Sequence, residues 1–348
     1  MTHSPRVLVL AGGLSHERDV SLRSGRRVAE ALRSANVEVT VHDVDADLIP
    51  ALAETRPDLV WPILHGASGE DGSIRDVLDL LGVPYVGTGP RASRIAWSKP
   101  VAKSVVARAG ISTPEYVTLP QSLFRELGAR AVMSAVVEKL GLPLVVKPSR
   151  GGSALGVSLV RTAGDLPQAM VSCFAYGEVA LIEQAVDGVE LAVSVVETGE
   201  GLRTLPAVEI VTEGPYDYDA RYNPGRTEYF SPARLSAAEA ESVAETALAA
   251  HAALGLRHIS RTDLILQADG TIQFLEVNVA PGMTETSLLP QAALAGGWSL
   301  PMLYRSVVDA ATPGGSAGAP RETAESSESS ESSEAPVGAD RAEAPHQL

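Results

Sequence analysis

A single cysteine, Cys173, stands among 348 residues, so no disulfide can form within the chain. A reducing, cytoplasmic home is the simple expectation. Aromatic residues make up 4% of the sequence, which leaves Ala, Val and Leu to build the core. No apolar run reaches the ~18 residues that a bilayer-spanning helix needs, so no membrane partner is expected. The apolar stretch near the N-terminus runs into Gly12-Gly13 without a signal-peptide cleavage pattern and reads as a first strand. Positive charge is the scarcer sign. Lys and Arg number 28 against 43 Asp and Glu, for a formal net charge of −15. That balance argues against capture of nucleic acid. It does not exclude a nucleotide, which a few local cations can hold.

What is present is an alternation of strand and helix patterns. RVLVLAGG (6–13), VEVTVHDVD (37–45) and DLVWPILHG (58–66) read as strands, with an amphipathic helix over 21–35 between the first two. This predicts a parallel α/β layer, whose functional rim lies beyond the strand C-termini, at Gly12–Ser15 and His65–Gly72. Further on, a helix is predicted around Lys99–Ala109, a strand at 114–119 and helix up to Lys139. LPLVVKPSRGGSALGVSLV (142–160) reads as strand, glycine loop, strand. Residues 180–197 read as two short strands about an Asp-Gly turn, 236–254 as a helix, and 262–278 as a hairpin through Ala-Asp-Gly. From about residue 313 the composition turns to Ser, Glu, Ala, Pro and Gly, which predicts a disordered acidic tail over 313–348.

Three groups of residues can carry chemistry. The glycine loop 149–156 follows Lys147, and glycines let backbone N–H groups approach phosphate oxygens beside a lysine charge. Read alone, it is equally an ordinary hairpin turn. Asp263, Glu276 and Asn278 lie on one predicted hairpin as an oxygen-rich set suited to a hard cation such as Mg²⁺. The plain alternative is alternation of solvated residues on an exposed face. GGLSHERDVS (12–21) and HGASGEDG (65–72) put Glu17 and His65 on the rim, where Glu17 could pair with an ammonium and His65 could orient a carboxylate or a neighbouring side chain. Ser15 and Asp19 read more simply as helix-capping residues.

With GVPYVGTG (82–89), YDYDARY (216–222), RTDLIL and LEVNVAPGMTETSLLP added, these blocks stand in the order and spacing of D-alanine–D-alanine ligases, and the resemblance runs over about residues 6–311. It implies the α/β (α+β) ATP-grasp fold: an N-terminal α/β substrate domain (1–95), a small central lobe (96–180) and a larger C-terminal lobe (181–312) carrying a mobile loop at about 211–232. It implies ATP and Mg²⁺ (or Mn²⁺), amino-acid substrates, and a homodimer. By position, Lys99 and Lys147 resemble the family's phosphate-contacting lysines. Glu183, Gln184, Val186 and Glu190 fall where adenine and ribose are held, and Asp263, Glu276 and Asn278 where the metal is held. Arg261 and the backbone N–H of Gly282 match the oxyanion pair. Glu17 resembles the anchor of the first substrate's ammonium, with Ser153 and Tyr222 tying it to the loop. Ser287 and Leu288 lie where the second substrate's carboxylate sits. The implied reaction makes an acyl phosphate and then an amide, and the acyl phosphate requires a site closed to water.

Some positions depart from the family pattern. Arg221 stands for the loop lysine, Asp76 for a glycine, Ser98 for an aspartate, Thr262 for an aliphatic residue and Ala154 for a serine. Val279 stands where a small hydroxylated residue or Pro is usual. They are expected around the substrate and phosphate shell, and so they bear on which two substrates are joined. D-alanyl-D-alanine synthesis for peptidoglycan is the leading expectation, and Tyr222 favours an amine as second substrate. A diverged ligase for other amino acids and a nucleotide-binding protein without turnover are the alternatives.

Overall fold

A computed structural model describes residues 5–212 and 227–313. The first apolar run forms strand β1 (Arg6–Leu10), flanked by β2 (Glu38–His42) and β3 (Leu59–Pro62) in a parallel sheet of order β2-β1-β3. Helices α1 (Arg18–Ser34) and α2 (Leu48–Thr55) make the crossovers that parallel pairing demands. Helix α1 lies close on β1, because a Cβ at Gly25 would stand 2.4 Å from the Ala11 Cβ. Its start uses no side-chain cap: Ser15 Oγ accepts the Glu17 N–H in a local turn, and Asp19 sits in the first helical turn. The capping expected of these two residues is thus replaced by turn chemistry at Ser15 and dipole complementarity at Asp19.

Four helices follow: α3 (Ala67–Glu70), α4 (Ser73–Leu80), α5 (Pro90–Trp97) and α6 (Lys99–Arg108). The middle of the chain then builds a four-stranded antiparallel sheet. In chain order its elements are β4 (Tyr116–Pro120), α7 (Gln121–Leu127), α8 (Ala129–Leu140), β5 (Leu144–Pro148), β6 (Ser158–Val160), α9 (Leu166–Phe174) and β7 (Val179–Gln184). The strand order is β4-β7-β5-β6. This sheet has its own core of Leu144, Val146, Leu166, Met170 and Ile182 against α8 and α9.

The third sheet holds β8 (Val189–Thr198), β9 (Gly201–Thr204), β10 (Val208–Thr212), β11 (Thr227–Phe230), β12 (Ile259–Leu266) and β13 (Ile272–Asn278). Helix α10 (Ala237–Ala253), opened by a capping box between Ser236 and Glu239, packs with α5 and α6 over one face. Helices α11 (Leu288–Ala295) and α12 (Leu300–Ala311) cover the other face and share one core with the parallel sheet, including Val9, Trp61, Val196 and Tyr304.

The hairpins expected around 149–156 and across 262–278 pair as antiparallel neighbours. The Asp187-Gly188 turn differs. It joins no hairpin, because β7 and β8 belong to different sheets and the turn carries the chain between them. A Cβ at Gly188 would stand 2.4 Å from the Leu266 carbonyl oxygen, so the crossing runs hard against β12. Strand β7 straddles the boundary placed at 180.

Candidate active site

Beta-strand alternation decides which side chains meet. On β12, Arg261 and Asp263 point one way, and their register partners on β13 are Asn278 and Glu276. Arg261 grips Asp263 with two parallel bonds, Nε to Oδ1 at 2.7 Å and Nη2 to Oδ2 at 2.8 Å. Glu276 Oε2 lies 3.2 Å from Lys99 Nζ, and that ammonium also donates to the Gly151 carbonyl at 2.7 Å. Lys99 therefore ties the glycine loop to the hairpin. Asn278 Oδ1 accepts the Ala280 N–H at 2.7 Å.

Beside these residues opens a cleft of about 410 Å³ between the four-stranded sheet and the hairpin. Lys99, Lys147, Glu183, Gln184, Val186, Glu190, Asp263 and Glu276 all line it, together with the glycine loop. Its floor is a buried charge sandwich. Glu183 Oε1 lies 2.6 Å from Lys147 Nζ, and Oε2 lies 2.8 Å from Lys103 Nζ. Burial would push the Glu183 carboxyl up, but the two ammonium groups outweigh it and hold it below the usual carboxylate range. Burial is the largest influence on Lys103 and draws it down to about 8, against the pull of Glu183. Lys147 feels burial too, yet Glu183 and Glu276 carry it above the ordinary lysine value. At neutral pH the trio keeps a net positive charge facing the cleft.

Two expectations for β7 change in detail. Gln184 points its amide away, donating to the Leu140 carbonyl at 2.9 Å. Glu183 spends its carboxylate on the two lysines. The side chains of this pair are thus engaged by the protein, and the Gln184 N–H is itself bonded to the Glu115 carbonyl at 3.0 Å.

A second, smaller cleft of about 90 Å³ lies on the other side of Arg261 and Asn278. Glu17, His65, Glu70, Ser153, Gly282, Ser287 and Leu288 line it, and Gly152 of the glycine loop borders both clefts. Ser153 donates a short hydrogen bond to Glu17, holding the loop over the N-terminal rim. Ser153 and Ala154 both take positive φ, 51° and 55°, so the loop turns on residues other than glycine there. Ser287 Oγ accepts the Thr284 N–H at 2.9 Å, closing the turn before α11.

His65 is not open to a substrate carboxylate through a ring nitrogen. Nδ1 meets the Ala280 carbonyl at 3.0 Å and Nε2 meets Ser24 Oγ at 3.2 Å. Burial lowers its pKa, only partly offset by Glu17, so the ring is neutral. Glu70 is the opposite case. Burial first, then the charge of Glu17, raises its carboxyl to about 8, while Oε1 accepts the Gly66 N–H at 3.0 Å. A neutral carboxylic acid thus lines the small cleft at pH 7.

Arg221 and Tyr222 lie outside the described residues, as does most of the expected loop at 211–232. Lys103, Glu70 and Ser24 escaped the sequence reading. Lys103 had a signal, being four residues after Lys99 and so on the same helix face. The departures also sort differently than expected. Asp76 forms a surface ion pair with Arg94 and Thr262 is buried between strands, so neither lines a cleft. Val279 packs in the core beside α10, and Ser98 is buried next to Lys99. Among the described departures only Ala154 lines the large cleft.

The described donor set suits a hard divalent cation. It is all oxygen, Asp263 and Glu276 are direct cross-strand partners, and both lie against cationic side chains.

The protein-family description "D-ala D-ala ligase C-terminus" matches residues 105–309. The D-alanine–D-alanine ligase of Desulforudis audaxviator is 42% identical over 305 residues, covering 87% of this chain and 97% of that protein. That of Gloeobacter violaceus is 41% identical over 306 residues, covering 87% and 98%. Among solved structures, the D-alanine–D-alanine ligase of Bacillus anthracis complexed with ATP matches with a TM-score of 0.74 at 29% identity, covering 88% of this chain and 97% of that one. The VanG D-Ala:D-Ser ligase of Enterococcus faecalis matches with a TM-score of 0.74 at 26% identity, covering 88% and 99%. The fold of these neighbours is the ATP-grasp fold, and this chain belongs to the D-alanine–D-alanine ligase family.

Proposed function

We propose that this protein is an ATP-dependent ligase that joins two D-alanines into D-alanyl-D-alanine for peptidoglycan synthesis. The observation that carries the reading is the meeting of two clefts at the β12–β13 hairpin, one floored by lysines and one walled by Glu17. ATP occupies the large cleft, with its base against the backbone of Glu183–Val186 and its ribose toward Glu190. Lys147 and Lys99 take the phosphates, as point charges on buried stems. Asp263, Glu276 and Asn278 would hold Mg²⁺ (or Mn²⁺), which when bound neutralises phosphate charge.

The first D-alanine places its ammonium at Glu17. Its carboxylate oxygen attacks the γ-phosphorus, the bond to the bridging oxygen breaks, and ADP leaves. The amine of the second D-alanine, its carboxylate held at Ser287 and Leu288, then attacks the acyl carbon. Arg261 and the Gly282 N–H stabilise the oxyanion of the tetrahedral intermediate, which collapses with phosphate as leaving group. Ser153, bonded to Glu17, closes the glycine loop over the reacting groups and keeps water from the acyl phosphate. Tyr222 is assigned to the same closure, and Arg221 to ATP binding. We place the reaction in the cytoplasm, where ATP is supplied, and assign a homodimer on the family resemblance; sedimentation velocity tests the latter.

The likeness to a D-Ala:D-Ser ligase favours D-serine as the second reading for the incoming amine. The test is ADP release with ATP, Mg²⁺ and D-alanine as sole amino acid, with the product identified by mass. The dipeptide establishes the reading. ADP release only when D-serine or another amine is added moves the activity to a diverged ligase. ATP binding without ADP formation in any mixture would leave a nucleotide-binding protein.

A further inference from the structure

Gly282, whose N–H is assigned to the oxyanion above, sits in a short loop bracketed by two hydrogen bonds from the N-terminal part of the chain. On one side, the Ala280 carbonyl meets His65 Nδ1 at 3.0 Å. On the other, the Met283 N–H donates to Ser24 Oγ at 3.2 Å. The two anchors are joined, because Ser24 Oγ also lies 3.2 Å from His65 Nε2. Ser24 is fully buried and His65 is 4% exposed, so water does not compete for these groups.

Donor and acceptor chemistry fixes every proton in this ring. A carbonyl only accepts, so His65 Nδ1 must carry hydrogen. Burial keeps the imidazole neutral, so Nε2 holds a lone pair. Ser24 therefore donates to Nε2 and uses its own lone pair to accept from Met283. The sequence of bonds runs Met283 N–H to Ser24, Ser24 O–H to His65, and His65 N–H to Ala280, enclosing Pro281 and Gly282. Proline has no N–H, so inside the ring Gly282 offers the backbone donor. Helix α1 supplies the rigid base. One turn earlier, Ser21 accepts from the Gly12 N–H at 2.8 Å and donates to the Ile63 carbonyl at 2.5 Å, which pins the same helix face to the ends of β1 and β3.

We infer that Ser24 is a positioning residue for catalysis, fixing the His65 tautomer and through it the direction of the Gly282 N–H toward the reacting carbonyl. The inference deepens the ligase reading and rests on it. It assigns the oxyanion geometry to a serine that touches neither substrate nor nucleotide. A donor displaced by about 1 Å costs on the order of a hundredfold in rate.

The experiment is Ser24→Ala in the full chain, with kcat expressed per ATP-binding site, beside nitrogen NMR of His65 in the unaltered protein. The expected result is a kcat at least tenfold lower, with the KM for ATP within twofold of the unaltered value. The NMR should find hydrogen on Nδ1 and a bare Nε2. A kcat within twofold of the unaltered protein, or a fall in kcat matched by an equal loss of ATP binding, overturns the inference, as does hydrogen on Nε2. If the unaltered chain forms no dipeptide, the functional reading fails; the tautomer, which needs no turnover, then decides the Ser24–His65 arrangement by itself.

Discussion

Glu183 balances two lysines that do different work. Lys147 faces the large cleft, whereas Lys103 is fully buried and also donates to Thr113 Oγ1 at 2.6 Å and to the Phe274 carbonyl at 3.2 Å. Replacing Lys103 with Met leaves Glu183 to neutralise Lys147 alone, and the net positive charge that faces phosphate is lost. Breaking a buried pair from one side costs about 3–5 kcal/mol. The K103M variant should therefore unfold at lower urea and bind ATP at least about tenfold more weakly, a difference of roughly 1.4 kcal/mol. K103R, which restores charge, should recover part of the ATP affinity. Unchanged ATP binding in a folded K103M protein would refute the sandwich as a phosphate-facing device.

Glu70 makes a pH prediction. Its folded pKa of about 8 stands above the ordinary carboxylate value of 4.5, so the native state binds the proton more tightly than the unfolded chain. The stabilisation is fully present below the unfolded value and is lost as pH rises through about 8. Glu70→Gln keeps an oxygen for the Gly66 N–H and mimics the neutral acid. Melting temperatures at pH 6 and pH 9 should fall further for the unaltered chain than for E70Q; equal slopes would remove Glu70 as the source. What was legible at this scale is placement: Lys147 beside the glycine loop, Glu17 on the rim before α1, and Arg261, Asp263 and Glu276 on facing strands of one hairpin. Side-chain direction was not. Nothing local in GLU-GLN at 183–184 tells that one side chain turns to buried lysines and the other to the end of α8.

At the scale of elements, strand periodicity and turn chemistry carried the parallel sheet, the glycine hairpin and the β12–β13 hairpin. The two strands about Asp187-Gly188 were legible too, but not that they part company, because an Asp-Gly pair reports a local turn, whereas membership of a sheet is settled by distant partners such as β5 and β12. Strand β12 shows the cost of a local irregularity. Thr262 is fully buried, opposite Val193 on β8 and Val277 on β13, and its hydroxyl has no hydrogen-bond partner among the described residues. An unpaired buried hydroxyl costs about 1–3 kcal/mol, and valine has the same shape without it. Thr262→Val should thus stabilise the protein by about 1 kcal/mol and leave kcat within twofold, because residue 262 faces the core and not the clefts. Chemical denaturation decides this, and a destabilised T262V would mean that the hydroxyl is satisfied in solution.

At the scale of the whole molecule, the parallel sheet and the six-stranded sheet share one core through α11 and α12, while the four-stranded sheet keeps a core of its own. The catalytic reading needs all three, since the two clefts lie where they adjoin. It needs nothing beyond α12. That helix buries Leu303, Tyr304, Val307 and Val308 and ends at Ala311, and the family likeness stops at residue 309. The Ser/Glu-rich segment after Pro313 holds seven acids and two arginines, a third of the formal net charge of −15. Salt at physiological ionic strength screens charge over about 8–10 Å, which limits how far any acidic segment can act. Ending the chain after Pro313 should therefore leave kcat and the KM for ATP within twofold, and shift the melting temperature by no more than about 2 °C. The same truncation should weaken retention on an anion exchanger, which confirms that the charge was removed. A large loss of turnover in the shortened protein would show that the acidic segment takes part in catalysis or assembly, and would move the functional boundary past residue 313.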